Sequence, residues 1–340
     1  MSIGSKMFPW RLAVLLCAAA GASIDDRGPG APAAKTPTAV HQLDVAGRTR
    51  SYRLHLPSGF EPGKPVPLVI ALHGAGGNGL IMEVLTGFDQ VADANGFAVA
   101  YPDGELGMWR IWPGGRSATK GKIADRIKAA RDEAKEPGAT ASADVDFMKA
   151  LIDELIDKRV ADRRRVYVTG ISNGGYFSNL LACDLSDRVA AIAPVAGTFA
   201  KFAVANAKPS RPVPVIYFHG TDDRIVGVDG VDRFTKRENS LSADECVAWW
   251  AKQNSCRAES RVDTLADAKS DGTTVERVTY AAGKSGAPVV YYKIIGGGHT
   301  WPSGSFQPEG LLGKTCRDVD ASRVIWEFFK EFELPEEKKP

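Results

Sequence analysis

Histidine and cysteine, the usual ligands of zinc, are scarce in this sequence, with five of each among 340 residues. It contains no His-Glu-x-x-His pattern, and its cysteines and histidines do not cluster at the spacings typical of zinc sites. We therefore expect no metal ion and no other cofactor.

An excess of charge of one sign is also lacking, with 43 basic and 41 acidic residues. Removal of an N-terminal leader that contains Lys6 and Arg11 would leave 41 of each. Because no basic excess is present to attract phosphates, we expect no nucleic-acid partner. No apolar run after the N-terminus is long enough to cross a bilayer, so we expect a mature protein without a stable membrane span. We also expect a monomer.

Residues 1–22 have the pattern of a signal peptide: two basic residues, a short apolar run at 12–20, and small residues up to position 22. A membrane anchor is the alternative, but the run is too short to span a bilayer comfortably. The pattern predicts export to the periplasm or the extracellular space.

Four cysteines remain after cleavage of the leader: Cys183, Cys246, Cys256 and Cys316. An even number in an exported protein predicts disulfides, although the sequence does not choose among the three possible pairings. Buried free thiols are the alternative, since cysteine is common in protein cores.

Residues 23–39, rich in proline, glycine and alanine, predict a flexible linker, which is followed by a single domain over 40–335. Apolar strands alternate with amphipathic helices in this domain, which is typical of an α/β fold with a mostly parallel central sheet and helices on both faces. Strands are predicted at 41–56 (a hairpin), 67–72, 97–101, 165–169, 189–195, 213–218 and 289–295, and helices at 80–95, 144–160, 176–185 and 319–329.

The charged stretch 114–143 interrupts this alternation. It predicts a solvated surface helix or, alternatively, a mobile flap over the active site.

The segment Gly170-Ile171-Ser172-Asn173-Gly174-Gly175 lies between an apolar strand and a helix, which is the setting of a nucleophile elbow. We predict Ser172 as the nucleophile. A serine hydroxyl needs an adjacent base, and in this fold the chain order is serine, acid, histidine. His299 lies downstream of both the serine and the candidate acids, and it is the predicted general base.

Two carboxylates, Asp222 and Asp223, follow the predicted strand 213–218, where the acid is expected. Both are candidates, and Asp223 is preferred. In the folded protein Asp223 should reach His299 Nδ1, and His299 Nε2 should reach Ser172 Oγ.

The glycine-rich segment 72–77 also follows an apolar strand. We predict that the backbone N–H groups of Ala75 and Asn173 form an oxyanion hole, with Gly76 as the second choice for the first donor. A phosphate loop is the alternative, but the Lys-Ser/Thr ending of such a loop is absent. His73 and His219, which each precede a glycine, are predicted to be structural.

Six blocks in order resemble the polyhydroxybutyrate depolymerase and feruloyl esterase family: LHGAGGNG, YPDG, GISNGGY, LACDLSDR with APVAG, HGTDD and GGGHTWP. The resemblance covers residues 68–329 and implies an α/β-hydrolase fold that hydrolyses carboxylic esters. It implies a triad of Ser172, Asp223 and His299, with Asp223 favoured because the acid of the family ends the HG-T-x-D block. It also implies Trp301 and Trp109 as substrate-binding residues.

The sequence thus predicts an exported serine esterase that acts through an acyl-enzyme on feruloyl, acetyl, short-chain or hydroxyalkanoate esters, small or polymeric. An acyltransferase with the same triad is the first alternative. A non-catalytic binding protein is the second, and the intact serine, aspartate and histidine argue against it.

Overall fold

Ten strands form one sheet within residues 38–111, 142–233 and 236–336, which the computed structural model describes. The strands are β1 (Ala39–Val45), β2 (Arg48–His55), β3 (Val66–Leu72), β4 (Ala98–Pro102), β5 (Ala161–Ile171), β6 (Ala191–Val195), β7 (Val215–Gly220), β8 (Ser260–Thr264), β9 (Thr274–Tyr280) and β10 (Val289–Ile295). Their order across the sheet is β1-β2-β4-β3-β5-β6-β7-β10-β9-β8.

Helices connect these strands. The described ones are α1 (Gly79–Thr86), α2 (Phe88–Asn95), α3 (Ser142–Asp157), α4 (Asn173–Asp184), α5 (Lys201–Val204), α6 (Ala243–Gln253), α7 (Glu309–Leu312) and α8 (Ala321–Phe329). A short 3₁₀ turn at Glu105–Gly107 follows β4.

The six central strands, from β4 across to β10, run parallel to one another. Antiparallel pairs are added on both sides, β2 and β1 beside β4, and β9 and β8 beside β10. The predicted α/β class with a mostly parallel sheet is confirmed.

The sheet is buried on both faces, as β3 illustrates. Leu68, Ile70 and Leu72 belong to one apolar cluster, and Val69 and Ala71 to the other, because successive side chains of a strand point to opposite faces. Side chains of α3, α4 and α6 complete the first cluster, and those of α1, α2 and α8 the second. A strand that is buried on both faces is apolar along its whole length.

The predicted helix over 80–95 is two helices, because Gly87 adopts a φ of 59° between α1 and α2. A left-handed residue ends an α-helix and lets the chain change direction. The end of α2 was predicted correctly, since Gly96 caps it with a φ of 75°.

Helix α6 and strands β8 and β9 were not predicted. Helix α6 begins with a capping box formed by Ser242 and Glu245, a Ser-x-x-Glu signature that is visible in the sequence. Strand β8 is mostly exposed, so it lacks the apolar run that identifies a buried strand.

The predicted disulfides are not formed among the described cysteines, which are all free thiols. Cys183 lies on α4 and Cys246 on α6, both buried. Burial raises the pKa of the Cys246 thiol to about 12. A thiol that stays protonated is a poor participant in disulfide exchange, so the alternative of buried free thiols fits these positions better.

Some predictions lie outside the described residues: the signal peptide at 1–22, the linker at 23–39 except its last two residues, and the charged insert at 114–143 except 142 and 143. They remain predictions, as do the domain limits. Among the described helices, none combines the length and the apolar character that a membrane crossing requires.

Candidate active site

The three predicted catalytic side chains follow three parallel strands that lie close together in the sheet. Ser172 follows β5, Asp223 follows β7, and His299 follows β10, which pairs with β7. Parallel strands end at the same edge, and ligand sites of open α/β sheets lie outside that edge. The topology therefore brings these three positions to one rim of the sheet.

Ser172 occupies a strained turn between β5 and α4. Its φ of 57° and ψ of −120° are uncommon for any residue other than glycine. The Ser172 N–H donates to Val195 O at 2.9 Å, and the Ser172 carbonyl accepts from Tyr176 N at 3.0 Å. A Cβ at residue 174 would lie 2.3 Å from Leu72 O, so glycine is needed there for the turn to pack on β3.

Asp223 and His299 are in direct contact. His299 Nδ1 lies 2.8 Å from Asp223 Oδ2, and the two residues are 6% and 3% exposed. The other carboxylate oxygen accepts from the backbone N–H groups of Ile225 and Val226, both at 2.8 Å. This is the contact that the sequence predicts between the acid and the base.

The charge state of Asp223 is set by opposing effects. Burial raises the pKa of the carboxyl, but the charge of His299 and the hydrogen bonds of His219 and His299 outweigh burial and hold this pKa well below the ordinary aspartate value. Asp222, the competing candidate, uses its carboxylate to accept from Thr221 Oγ1 at the surface. The ionised acid beside His299 is thus Asp223.

The predicted hydrogen bond between Ser172 Oγ and His299 Nε2 is not formed, and the Ser172 hydroxyl bonds no described residue. Such bonds are often long in unliganded enzymes and shorten when substrate binds. The backbone of His299 is fixed, because its N–H donates to Leu312 O at 2.6 Å.

Two backbone N–H groups near Ser172 have no acceptor among the described residues, those of Ala75 and Asn173. Ala75 is exposed, and a Cβ at the preceding Gly74 would lie 3.3 Å from Ser172 Cβ, so this loop passes close to the nucleophile. The Gly76 N–H already donates to Gly107 O at 2.7 Å. This geometry favours Ala75 over Gly76 as an oxyanion donor.

Trp109 and Trp301, the predicted substrate-binding residues, are each 1% exposed. Trp109 Nε1 donates to His73 O at 2.9 Å, and its ring stacks on Phe177. Trp301 Nε1 donates to Ser322 Oγ at 3.1 Å. Burial argues against substrate contact at either position, because a ring that is 1% exposed offers a ligand almost no surface.

Asn173 joins the elbow to the loop after β4. Its Oδ1 accepts from Trp109 N at 2.7 Å, and its Nδ2 donates to Trp109 O at 3.1 Å. The side chain thus uses both of its polar atoms to hold the turn whose N–H is a candidate oxyanion donor. From its position after Ser172, Asn173 was predicted to act through its backbone N–H alone.

His73 holds the glycine-rich segment 72–77, here called the oxyanion loop, through both of its ring nitrogens. Its Nδ1 lies 2.8 Å from Gly74 O, and its Nε2 accepts from Gly104 N at 2.9 Å. Burial lowers the pKa of His73, against smaller effects of the Gly74 carbonyl and of Asp103 and Asp144. The prediction of a structural role agrees with these bonds.

Comparison with known proteins bears on what such a site does. The esterase family described as "Putative esterase" matches residues 44–308 of this chain. The chain belongs to this family. "Putative esterase NocK" of Nocardia uniformis subsp. tsuyamanensis is 31% identical to this esterase over 87% of the chain and 84% of its own length.

Feruloyl esterase B of Piromyces equi is 30% identical over 84% of this esterase, which covers 46% of that relative. Two solved structures share the fold of this chain. The acetyl xylan esterase from Aspergillus awamori has a TM-score of 0.53 at 16% identity, over 77% of this chain and 94% of that chain. A ferulic acid esterase from Anaeromyces mucronatus has a TM-score of 0.52 at 12% identity, over 90% and 93%.

These findings confirm the α/β-hydrolase fold, the resemblance to feruloyl esterases, and the activity of a carboxylic-ester hydrolase. The geometry adds two side chains whose part in the site was not predicted, His219 and Asn173. A signal for His219 was present, since it stands four residues before Asp223 in the HGTDD block.

Proposed function

We propose that this esterase is an exported serine hydrolase that forms an acyl-enzyme on Ser172, with His299 as general base and Asp223 as the acid that orients it. The observation that carries the proposal is the 2.8 Å contact between His299 Nδ1 and Asp223 Oδ2 at the sheet edge where Ser172 also lies. Export rests on the signal-peptide pattern at 1–22.

Acylation begins when His299 Nε2 takes the proton of Ser172 as Oγ attacks the ester carbonyl. The backbone N–H groups of Ala75 and Asn173 stabilise the oxyanion of the tetrahedral intermediate. His299 then returns the proton to the leaving alkoxide, the carbonyl–oxygen bond breaks, and the alcohol departs.

Deacylation repeats these steps with water as the nucleophile. Throughout, the Asp223 carboxylate stays ionised and stabilises the imidazolium that forms at His299. Its lowered pKa suits this role, because a protonated acid would lose most of its attraction for the imidazolium.

The proposed substrates are feruloyl and acetyl esters, with short-chain and hydroxyalkanoate esters as further members of the class. Support comes from the relatives, which include feruloyl esterase B and a bifunctional acetylxylan esterase/xylanase. This chain covers 46% of the first of these relatives and 24% of the second.

A substrate panel tests the proposal. The purified protein is assayed on methyl ferulate, acetylated xylan, a hydroxybutyrate oligomer and p-nitrophenyl acetate, beside its Ser172→Ala variant. We expect turnover of at least one ester and a fall in kcat of about 10⁴-fold or more in the variant. Equal rates for the two proteins would reject Ser172 as the nucleophile, and transfer of the acyl group to an added alcohol in place of water would favour an acyltransferase.

A further inference from the structure

A second imidazole approaches the acid of the proposed triad. His219 Nε2, at the end of β7, lies 3.4 Å from Asp223 Oδ2, the same oxygen that His299 contacts. Both side chains, of His219 and of Asp223, are 0% exposed. The carboxylate therefore lies between two histidines. His299 lies at the sheet edge where Ser172 also lies, and His219 is enclosed.

The surroundings of His219 define its tautomer. Its Nε2 faces two acceptors, Asp223 Oδ2 and the Val226 carbonyl at 2.9 Å, so this nitrogen must carry a hydrogen. Its Nδ1 lies 3.0 Å from the hydroxyl of Tyr217. Burial raises the pKa of Tyr217 well above its ordinary value, so the hydroxyl keeps its proton and can donate it to Nδ1.

We infer that His219 is a positioning residue for the proposed reaction. Its Nε2–H bonds the Val226 carbonyl and also approaches Asp223 Oδ2, so it holds the turn at 223–226 with the carboxylate directed towards His299, and Tyr217 fixes the tautomer that makes this possible. The inference rests on the proposed function, since it assigns His219 a role through the Asp223–His299 pair. His219 touches neither substrate nor the reacting atoms.

The geometry explains why such a residue is useful. Oδ1 of Asp223 is fixed by two backbone N–H groups, those of Ile225 and Val226. Oδ2 has His299 as its other close partner, and that imidazole must change charge and tighten on Ser172 during turnover. An enclosed N–H that bonds the Val226 carbonyl and lies beside this oxygen keeps the carboxylate oriented while its partner changes.

A matched pair of variants tests the inference. In His219→Gln the amide nitrogen can take the place of Nε2 and donate to Asp223, whereas in His219→Asn the shorter amide reaches about as far as Nδ1 and cannot. We expect His219→Asn to lower kcat about 10-fold with KM nearly unchanged, and His219→Gln to recover most of that loss. Rates are divided by the concentration of sites that a fluorophosphonate titrates, so that unfolded protein does not count.

His55 supplies the control. It is also a buried histidine, and its Nε2 lies 3.0 Å from Asp93 Oδ1, but it stands on β2 among side chains of α2. His55→Asn should lower stability and leave kcat per titrated site unchanged. A role of His219 in stability alone predicts this same behaviour for His219→Asn.

An unchanged kcat in His219→Asn, or a His219→Gln variant no better than His219→Asn, would overturn the inference. If His219→Asn does not fold, Tyr217→Phe replaces it, with an expected fall in kcat of about 3-fold at constant KM, and no fall in kcat rejects the role. Asp223→Asn distinguishes a failure of the proposed function from a failure of the role proposed for His219. If that variant keeps its activity, the proposed function fails; if it is inactive while His219→Asn matches the wild type, the failure is confined to His219.

Discussion

Two buried carboxylates in this esterase are contacted by different kinds of partner. Asp223 lies at the carboxyl edge of the sheet and is contacted by two imidazoles and two backbone N–H groups. Asp144, in the first turn of α3, is 1% exposed and accepts from Arg50 Nη2 at 2.8 Å and from Arg110 N at 2.8 Å. Arg50 itself is 5% exposed and lies over the ring of Phe147 at 4.2 Å.

The difference lies in the partner's charge. A guanidinium stays charged at every pH the protein meets, so the Arg50–Asp144 pair is constant and joins β2 to α3. An imidazole can accept a proton from a reacting group and return it, so in the proposed mechanism the charge beside Asp223 changes within one catalytic cycle. We infer that the first carboxylate contributes to stability and the second to turnover.

Asp223→Asn should have the largest effect. The amide keeps the size of the side chain but removes the charge that stabilises an imidazolium at His299, so we expect kcat to fall about 10⁴-fold. Steady-state hydrolysis of p-nitrophenyl acetate measures this. Asp222→Asn is the matched control, since its carboxylate bonds Thr221 at the surface, and it should stay within about 2-fold of the wild type. The reverse pattern would make Asp222 the acid.

Arg50→Met should have the next largest effect, and on stability. It leaves Asp144 buried without its cation, which costs about 3–5 kcal/mol of unfolding free energy in comparable pairs. Urea unfolding followed by tryptophan fluorescence measures the loss.

The control for Arg50 is Arg48→Met. Arg48 also bonds a carboxylate, Glu105 Oε1 at 2.9 Å, but its side chain is 36% exposed, so its loss should cost about 1 kcal/mol or less. Adding Asp144→Leu to Arg50→Met should recover much of the stability, because no buried charge then remains unpaired. Equal losses for Arg50→Met and Arg48→Met would mean that burial of the pair carries no special cost.

The sequence predicts one of these two regions better than the other. Ser172, Asp223 and His299 each follow an apolar strand in the chain order of this fold, so local pattern and order suffice to find them. Arg50 and Asp144 lie 94 positions apart, and neither stands in a recognisable motif. Their pairing depends on how β2 and α3 pack, which no short pattern encodes.

Tryptophan shows the same limit within the site. Trp301 stands two residues after His299, and the family resemblance implied a substrate-binding residue there, but its ring meets Phe88 edge-on at 5.9 Å and its Nε1 bonds Ser322. Proximity in sequence to the proposed general base does not fix the direction of a side chain. The central strands were found because burial on both faces makes them apolar throughout, whereas the exposed β8 gives no such signal.

His73 lies between the two regions, under the oxyanion loop and within reach of the charge of Asp144, and its effect should be the smallest. Burial lowers its pKa in the folded protein, while the unfolded chain takes up a proton near pH 6.5. Because the unfolded chain then binds this proton more readily than the folded protein, the free energy of unfolding is unaffected by the titration of His73 above that pH. It decreases as the pH falls below it, with a slope of at most about 1.4 kcal/mol per pH unit. His73→Gln keeps an acceptor for Gly104 N and does not titrate, so urea unfolding from pH 7.5 to 5 should show a weaker pH dependence in the variant. Parallel curves would mean that His73 is protonated in the folded protein too, and its Nε2 could then no longer accept from Gly104.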